Sequence, residues 1–183
     1  MNKQELFEYI ASQEEFLNHI SDSVWDNPET CYSEKVSSEI ICKALEEQGF
    51  HVEKGIAGIP TAFTGTFGHG KPVIGFLGEF DALSGLSQVA GATEKIAIHS
   101  GGNGHGCGHN LLGTGCLAAA IGLKEYLTES GKEGTVIFYG CPAEEGGGGK
   151  TFMAREGCFD HLDAAIAWHP GDAYGSSAGS TLA

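Results

Sequence analysis

Leu6, Ile10, Leu17, Ile20 and Val24 recur at helical spacing, a stripe that predicts one N-terminal helix over 3–25, ended ahead of Pro28. A second helix is predicted from about Ser33, with Val36, Ile40, Ile41 and Leu45 on its apolar face and Gly49 as a left-handed C-terminal cap. Its pattern implies packing and nothing more. From Gly58 the texture changes. TAFTGTFG alternates like a strand, GHGKP reads as a turn, and PVIGFLG is a continuous apolar run of the kind that forms a buried strand.

The carboxylates Glu79 and Asp81 follow that run directly. The stretch from Asn110 to about Leu127 is rich in Ala, Leu and Gly and predicts a helix; TVIFYG at 135–140 is a second apolar strand that leads straight into CPAEE. A short helix from about Thr151 to Glu156 stops at Gly157, and DAAIAW at 163–168 forms a third apolar strand that runs into His169. Strands that alternate with helices and are apolar throughout imply an α/β fold with a parallel or mixed sheet covered on both faces. Ligands of such sheets bind beyond the carboxyl ends of the strands. Three strand exits that each deliver metal-type side chains therefore point to one shared crevice.

Composition adjusts this picture only modestly. The 183 residues, 41% hydrophobic, suit a single domain with its own core, and the 29 glycines lie in short separate stretches without a period, which excludes collagen-like and solenoid folds. A formal net charge of −14 would repel nucleic-acid phosphates and anionic headgroups, so no nucleic-acid and no membrane partner is expected. No run approaches the ~20 apolar residues of a membrane span, and MNKQELFEYI lacks an apolar signal core, so a cytoplasmic enzyme is the expectation. The six cysteines include no CxxC pair and are expected to be reduced; Cys31, Cys42, Cys116 and Cys158 read as small core residues.

Cys107 differs because of its neighbours. In HGCGHN, residues 105–110, thiol and imidazole groups alternate with glycines that let the backbone fold closely around an ion, and a helix follows at once. Thiolate and imidazole suit zinc-, cobalt- or manganese-class ions better than magnesium or calcium. In PAEE, Glu144 and Glu145 are adjacent carboxylates after an apolar strand, where their repulsion is costly unless a cation lies beside them. One can ligate while the other shuttles a proton. His169 leaves the third strand with its exit direction set by Pro170, and Glu79 and Asp81, two residues apart, face one side as partners orienting a ligating histidine would. GGGGKT, residues 146–151, resembles the end of a phosphate-binding loop, but Glu144 stands where the first glycine is needed. No dinucleotide-binding glycine pattern and no GxSxG nucleophile elbow occur. His105 adjoins the site without joining it, and His19, His51, His69, His99 and His161 lack ligand-like company.

GEFDAL, GHGCGHNLLGTG, GCPAEEGGGGK and AWHPGD, in this order and spacing, resemble the aminoacylase/carboxypeptidase family of metal-dependent amidohydrolases, nearest the branch that cleaves amino-acid conjugates of the aminobenzoyl-glutamate type. The likeness runs from the first helix to the last residues. It implies a phosphorylase/hydrolase-like three-layer α/β sandwich with a mostly parallel mixed sheet, a pair of zinc or manganese ions, and hydrolysis of the amide of an N-acyl or N-aroyl amino acid or dipeptide. Carried over by position, Cys107 would share the two metals, His109, Glu145 and His169 would be ligands, Glu144 the general base, and Asp81 an orienting group. GEFDAL lacks the histidine found there in many relatives, which suits the branch in which cysteine takes over part of the ligation. Family members are roughly twice as long, so residues 1–183 are expected to be the N-terminal segment of the catalytic domain. A lid and dimerisation domain, and a return segment with a further histidine, would be absent, and GDAYGSSAGSTLA would be the exit toward the insertion. A homodimer is expected of the full-length form. The competing expectation is a non-catalytic metal-binding or interaction domain derived from such an enzyme.

Overall fold

The computed structural model describes residues 1–171. The tail 172–183, which holds nearly all of the expected exit toward an inserted domain, lies outside the described residues. Among them are five strands, β1 (His51–Lys54), β2 (Phe63–His69), β3 (Val73–Glu79), β4 (Gly134–Cys141) and β5 (Ala164–Ile166), in one sheet of order β1-β2-β4-β3-β5. β3 lies parallel to β4 and β5, while β2 is antiparallel to β1 and β4. All strands but β2 therefore point the same way, the mostly parallel mixed sheet that the family likeness implied.

Four helices, α1 (Lys3–Ser12), α2 (Glu14–Trp25), α3 (Lys35–Glu47) and α4 (His109–Ser130), are followed by a single distorted turn, α5 (Glu144–Gly147), and a short helix, α6 (Gly149–Arg155). Side chains of a strand alternate between faces, and β4 shows what that does here. Val136 and Phe138 join Ile20, Ile41, Leu45, Leu117 and Ile121 of α2, α3 and α4, while Ile137 and Tyr139 pack with Ile59 and Met153 on the opposite face. Each fully buried large apolar side chain contributes roughly 1.5–3 kcal/mol. Helices, sheet and a second cover thus make the three layers.

Several elements differ from their sequence patterns. The N-terminal stripe belongs to two helices, because the Ser12 hydroxyl donates to the Tyr9 carbonyl at 2.6 Å and the Gln13 amide turns instead to Ile10. That hydroxyl occupies an acceptor of the helix ladder, and the chain bends there. In α3, Ile41 and Leu45 are buried but Val36 is exposed; Gly49 is left-handed as expected, with the Phe50 amide closing back on the Leu45 carbonyl. β1 was not anticipated, since HVEK is a mostly exposed edge with one apolar residue. β5 is shorter than 163–168 and all three of its residues are exposed, so the third apolar run is an edge strand and not a buried one.

The ends of the parallel strands set the site. Glu79 and Cys141 are register partners at the carboxyl ends of β3 and β4, and β5 ends on the same side. Gly115 of α4 leaves room for the Trp168 indole, which would lie 2.6 Å from a β-carbon there, and the indole N–H donates to the Leu112 carbonyl at 3.1 Å. This docking carries His169 back toward the other two exits.

At Gly140 of β4 a β-carbon would stand 2.2 Å from the ring of Phe63, itself buried in the core. Overpacking of this kind costs about 1–3 kcal/mol. Gly140→Ala is expected to lower unfolding free energy by about that amount in a denaturant titration, and an unchanged midpoint would contradict the β2–β4 register.

Candidate metal centre

His109 is the hub. It opens α4 directly after left-handed Gly108, and its side chain is completely buried. Nδ1 lies 3.0 Å from Asp81 Oδ1 and 3.1 Å from the Asp81 carbonyl, both acceptors, so in the neutral ring Nδ1 carries the proton and Nε2 presents its lone pair. That Nε2 has no hydrogen-bond partner although it is buried. Around it stand Glu79 Oε2 at 3.1 Å and Glu144 Oε2 and Glu145 Oε1 at 3.9 Å each, close enough for charge to act but without hydrogen-bond geometry.

The donors divide into two sets that share His109. Ligand atoms of Cys107, His109 and His169 all lie within 4.8 Å of one another, and so do those of Glu79, His109 and Glu144. Cys107 Sγ is 3.3 Å from His169 Nε2, and the two imidazoles meet edge-on. Glu145 adds a buried Oε1 that, like His109 Nε2, has no partner. Soft sulfur, imidazole nitrogen and carboxylate oxygen in one pocket make a donor set suited to zinc- or manganese-class ions. Two buried lone pairs left without donors are what a cation would satisfy.

Charge explains why the arrangement needs one. Burial first, then Glu145, Glu144 and Glu79, push the Cys107 thiol up to about 11. Burial alone would lower the His109 pKa, but its hydrogen bond to Asp81 and the carboxylates of Asp81, Glu79 and Glu145 carry it above the ordinary 6.5. Burial likewise opposes ionisation of Asp81, yet the His109 hydrogen bond, the Glu145 amide and the adjacent imidazolium hold it below the usual carboxylate range. Lys150 pairs with Glu79 and removes part of the negative field. The GGGGKT lysine thus serves an acid of this site.

Every residue that the sequence put forward, Asp81, Cys107, His109, Glu144, Glu145 and His169, comes to this one pocket. Asp81 and Glu79 both reach the same ring, Asp81 by a hydrogen bond at Nδ1 and Glu79 by proximity alone at Nε2. Three things were not foreseen. Glu144 and Glu145 both turn toward His109 rather than apart. Glu79 is placed as a candidate ligand and not only as an orienting group. Cys31, read as a core residue, donates its thiol to the Glu145 carbonyl at 2.9 Å; nothing in the local pattern around it signals that long-range contact. His105 binds the Val24 carbonyl and stays out of the donor sets.

Comparison with known proteins identifies the family. The profile described as peptidase family M20/M25/M40 matches residues 75–180. The chain is 53% identical over 172 residues to a subunit of the p-aminobenzoyl-glutamate hydrolase of Escherichia coli K12, covering 91% of this chain and 36% of that protein. It is 31% identical over 180 residues to the Xaa-Arg dipeptidase of Mus musculus, 92% of this chain and 38% of the other. Among solved structures, the Bacillus subtilis YXEP protein, a dinuclear metal binding peptidase from the M20 family, superposes with a TM-score of 0.70 at 22% identity over 86% of this chain and 44% of that one, a likeness of fold. The chain thus spans little more than a third of the length of these curated relatives.

The His109–Asp81 pair gives the metal-free chain a definite pH dependence. The contribution of His109 is complete below 6.5 and is lost as pH rises through its higher folded value, while that of Asp81 is present above 3.8 and is lost as pH falls through its lower one. Denaturant titrations in EDTA are therefore expected to show greater stability at about pH 5 than at pH 8, with the difference reduced in Asp81→Asn. Identical pH profiles for the two proteins would refute the pairing.

Proposed function

The chain belongs to peptidase family M20/M25/M40, and from that premise we propose that it supplies the metal-holding part of an amidohydrolase acting on the amide of an N-acyl or N-aroyl amino acid, of the aminobenzoyl-glutamate type. The observation that carries the reading is the buried, unpartnered Nε2 of His109 facing carboxylates from two strand exits. The 53% identity to a p-aminobenzoyl-glutamate hydrolase chain supports the substrate class.

Cys107, His109 and His169 form one donor set and Glu79, His109 and Glu144 the other. The buried Oε1 of Glu145 has no partner and lies 3.9 Å from His109 Nε2. With Glu145 taken as a ligand in place of Glu144, Cys107, His109, Glu145 and His169 would hold two divalent ions of the zinc or manganese class, with Glu79 close enough to join them. When bound, such ions supply Lewis acidity, acidifying water and polarising a carbonyl oxygen. The protein's own work is positional. Asp81 holds the His109 tautomer whose Nε2 can donate its lone pair. Glu145, its side chain 19% exposed, offers a buried oxygen, whereas Glu144 at 41% reaches solvent. The more accessible acid suits the proton shuttle: Glu144 takes a proton as the water oxygen bonds to the amide carbon, then delivers it to the nitrogen as the C–N bond breaks. Attack by water and departure of the amine are thereby balanced by one carboxylate. The second reading is a metal-binding or interaction domain without turnover, derived from such an enzyme.

Metal analysis after dialysis against zinc or manganese, with an assay on p-aminobenzoyl-glutamate, separates these roles. His109→Ala and Glu145→Ala are expected to lose bound metal; Glu144→Gln is expected to keep it and to lose roughly 10²–10⁴-fold of any turnover. Full metal content in the first two variants would refute the ligand assignment, and normal turnover by the third would refute the shuttle. Metal uptake with no hydrolysis, both by these 183 residues and by a chain extended to the length of the relatives, would select the second reading; turnover restored by the longer chain would sustain the first.

A further inference from the structure

Glu34 lies outside both donor sets, yet it is a completely buried carboxylate that reaches the acidic turn. Its Oε1 accepts from the amides of Tyr32 and Ala143, each at 2.9 Å, and its Oε2 accepts from the Thr61 hydroxyl at 3.0 Å. Both amide donors belong to left-handed residues that are not glycine, Tyr32 at φ 59° and Ala143 at φ 57°. Side chains disfavour that conformation, so it persists only where surrounding bonds impose it. Ala143 immediately precedes Glu144, and its backbone angles set the direction in which the acidic turn leaves β4.

We propose that Glu34 is a positioning residue for the metal centre: by holding Ala143 left-handed it aims Glu144 and Glu145 at His109. Its neighbours act with it. Cys31 donates to the Glu145 carbonyl, the Tyr32 hydroxyl donates to the Gly147 carbonyl at 2.6 Å, and Asp81 Oδ2 accepts from the Glu145 amide at 2.9 Å. The segment leading into α3, the helix that the sequence marked for packing alone, is thus a clamp on the turn. The inference rests on the metal reading of the same pocket.

The test uses the whole 183-residue chain, stripped with EDTA and titrated with Co²⁺. Cobalt bands from the Cys107 thiolate and the imidazoles report binding, and thermal unfolding reports the fold. Glu34→Ala is expected to remain folded and bind Co²⁺ at least tenfold more weakly. Glu34→Gln keeps an oxygen for both amides and is expected to stay within about twofold of wild type. Ala143→Gly in the Glu34→Ala background is expected to recover part of the loss, because glycine adopts the left-handed angles freely; a role in general packing would give no such rescue. Amide NMR of the metal-free proteins should show Glu34→Ala shifting residues 143–147 and leaving Cys107 and His109 in place.

Wild-type affinity in a folded Glu34→Ala chain, or equal losses in the Ala and Gln variants, would overturn the proposal. If Glu34→Ala does not fold, Thr61→Val, which frees Oε2, carries the test: a measurable loss of affinity sustains the clamp and an unchanged affinity overturns it. A wild-type chain that takes up no Co²⁺ overturns the metal reading instead, and the NMR comparison then judges the positioning of the turn by itself.

Discussion

One buried carboxylate ties the site together. Asp81 Oδ1 accepts from His109 at the start of α4, and Oδ2 accepts from the Glu145 amide after β4. A single side chain at the end of β3 therefore fixes both the imidazole and the acidic turn, and its charge keeps the proton on Nδ1. Without it the two strand exits and the helix would still converge, but the imidazole and the acidic turn would lose the one side chain that bonds to both.

The same convergence creates a problem that the protein alone solves only in part. Glu79, Glu144 and Glu145 surround one imidazole, and the thiol beside them is pushed up to about 11. Lys150 answers one of these acids. The remaining field is that of a pocket built for added positive charge, since isolated buried carboxylates are otherwise strongly disfavoured. Folding stability and cation affinity are thus two faces of one electrostatic arrangement, as expected where ligands must be gathered by the fold before an ion can use them.

The sheet is complete around the acidic turn and more open toward its other edge. β4 and β3 are covered on both faces, whereas β5, Trp168 and His169 are exposed. Glu79 ends a buried strand, and Glu144 and Glu145 stand on the turn that follows another. His169, by contrast, depends on the packing of Trp168 against Gly115 and on its own contact with Cys107.

Much of this was legible from residue order alone. Continuous apolar runs ending in GEFD, CPAEE and AWH identified three parallel strands and the crevice at their ends, because the periodicity of burial and the identity of ligand-type side chains are both local properties. The break at Gln13, the exposure of β5, the inward turn of both Glu144 and Glu145, and the placement of Glu79 were not. Each depends on what lies across a contact distant in sequence. Cys31 and Glu34 make the point most clearly: an acid and a thiol just ahead of a helix carry no local mark of function, and only packing of that segment over a turn more than a hundred residues away gives them one. Sequence by itself determined which ligand-type side chains the chain carries and after which strands; tertiary structure decided which way each group points, because orientation is imposed by hydrogen bonds between distant segments and not by neighbours along the chain.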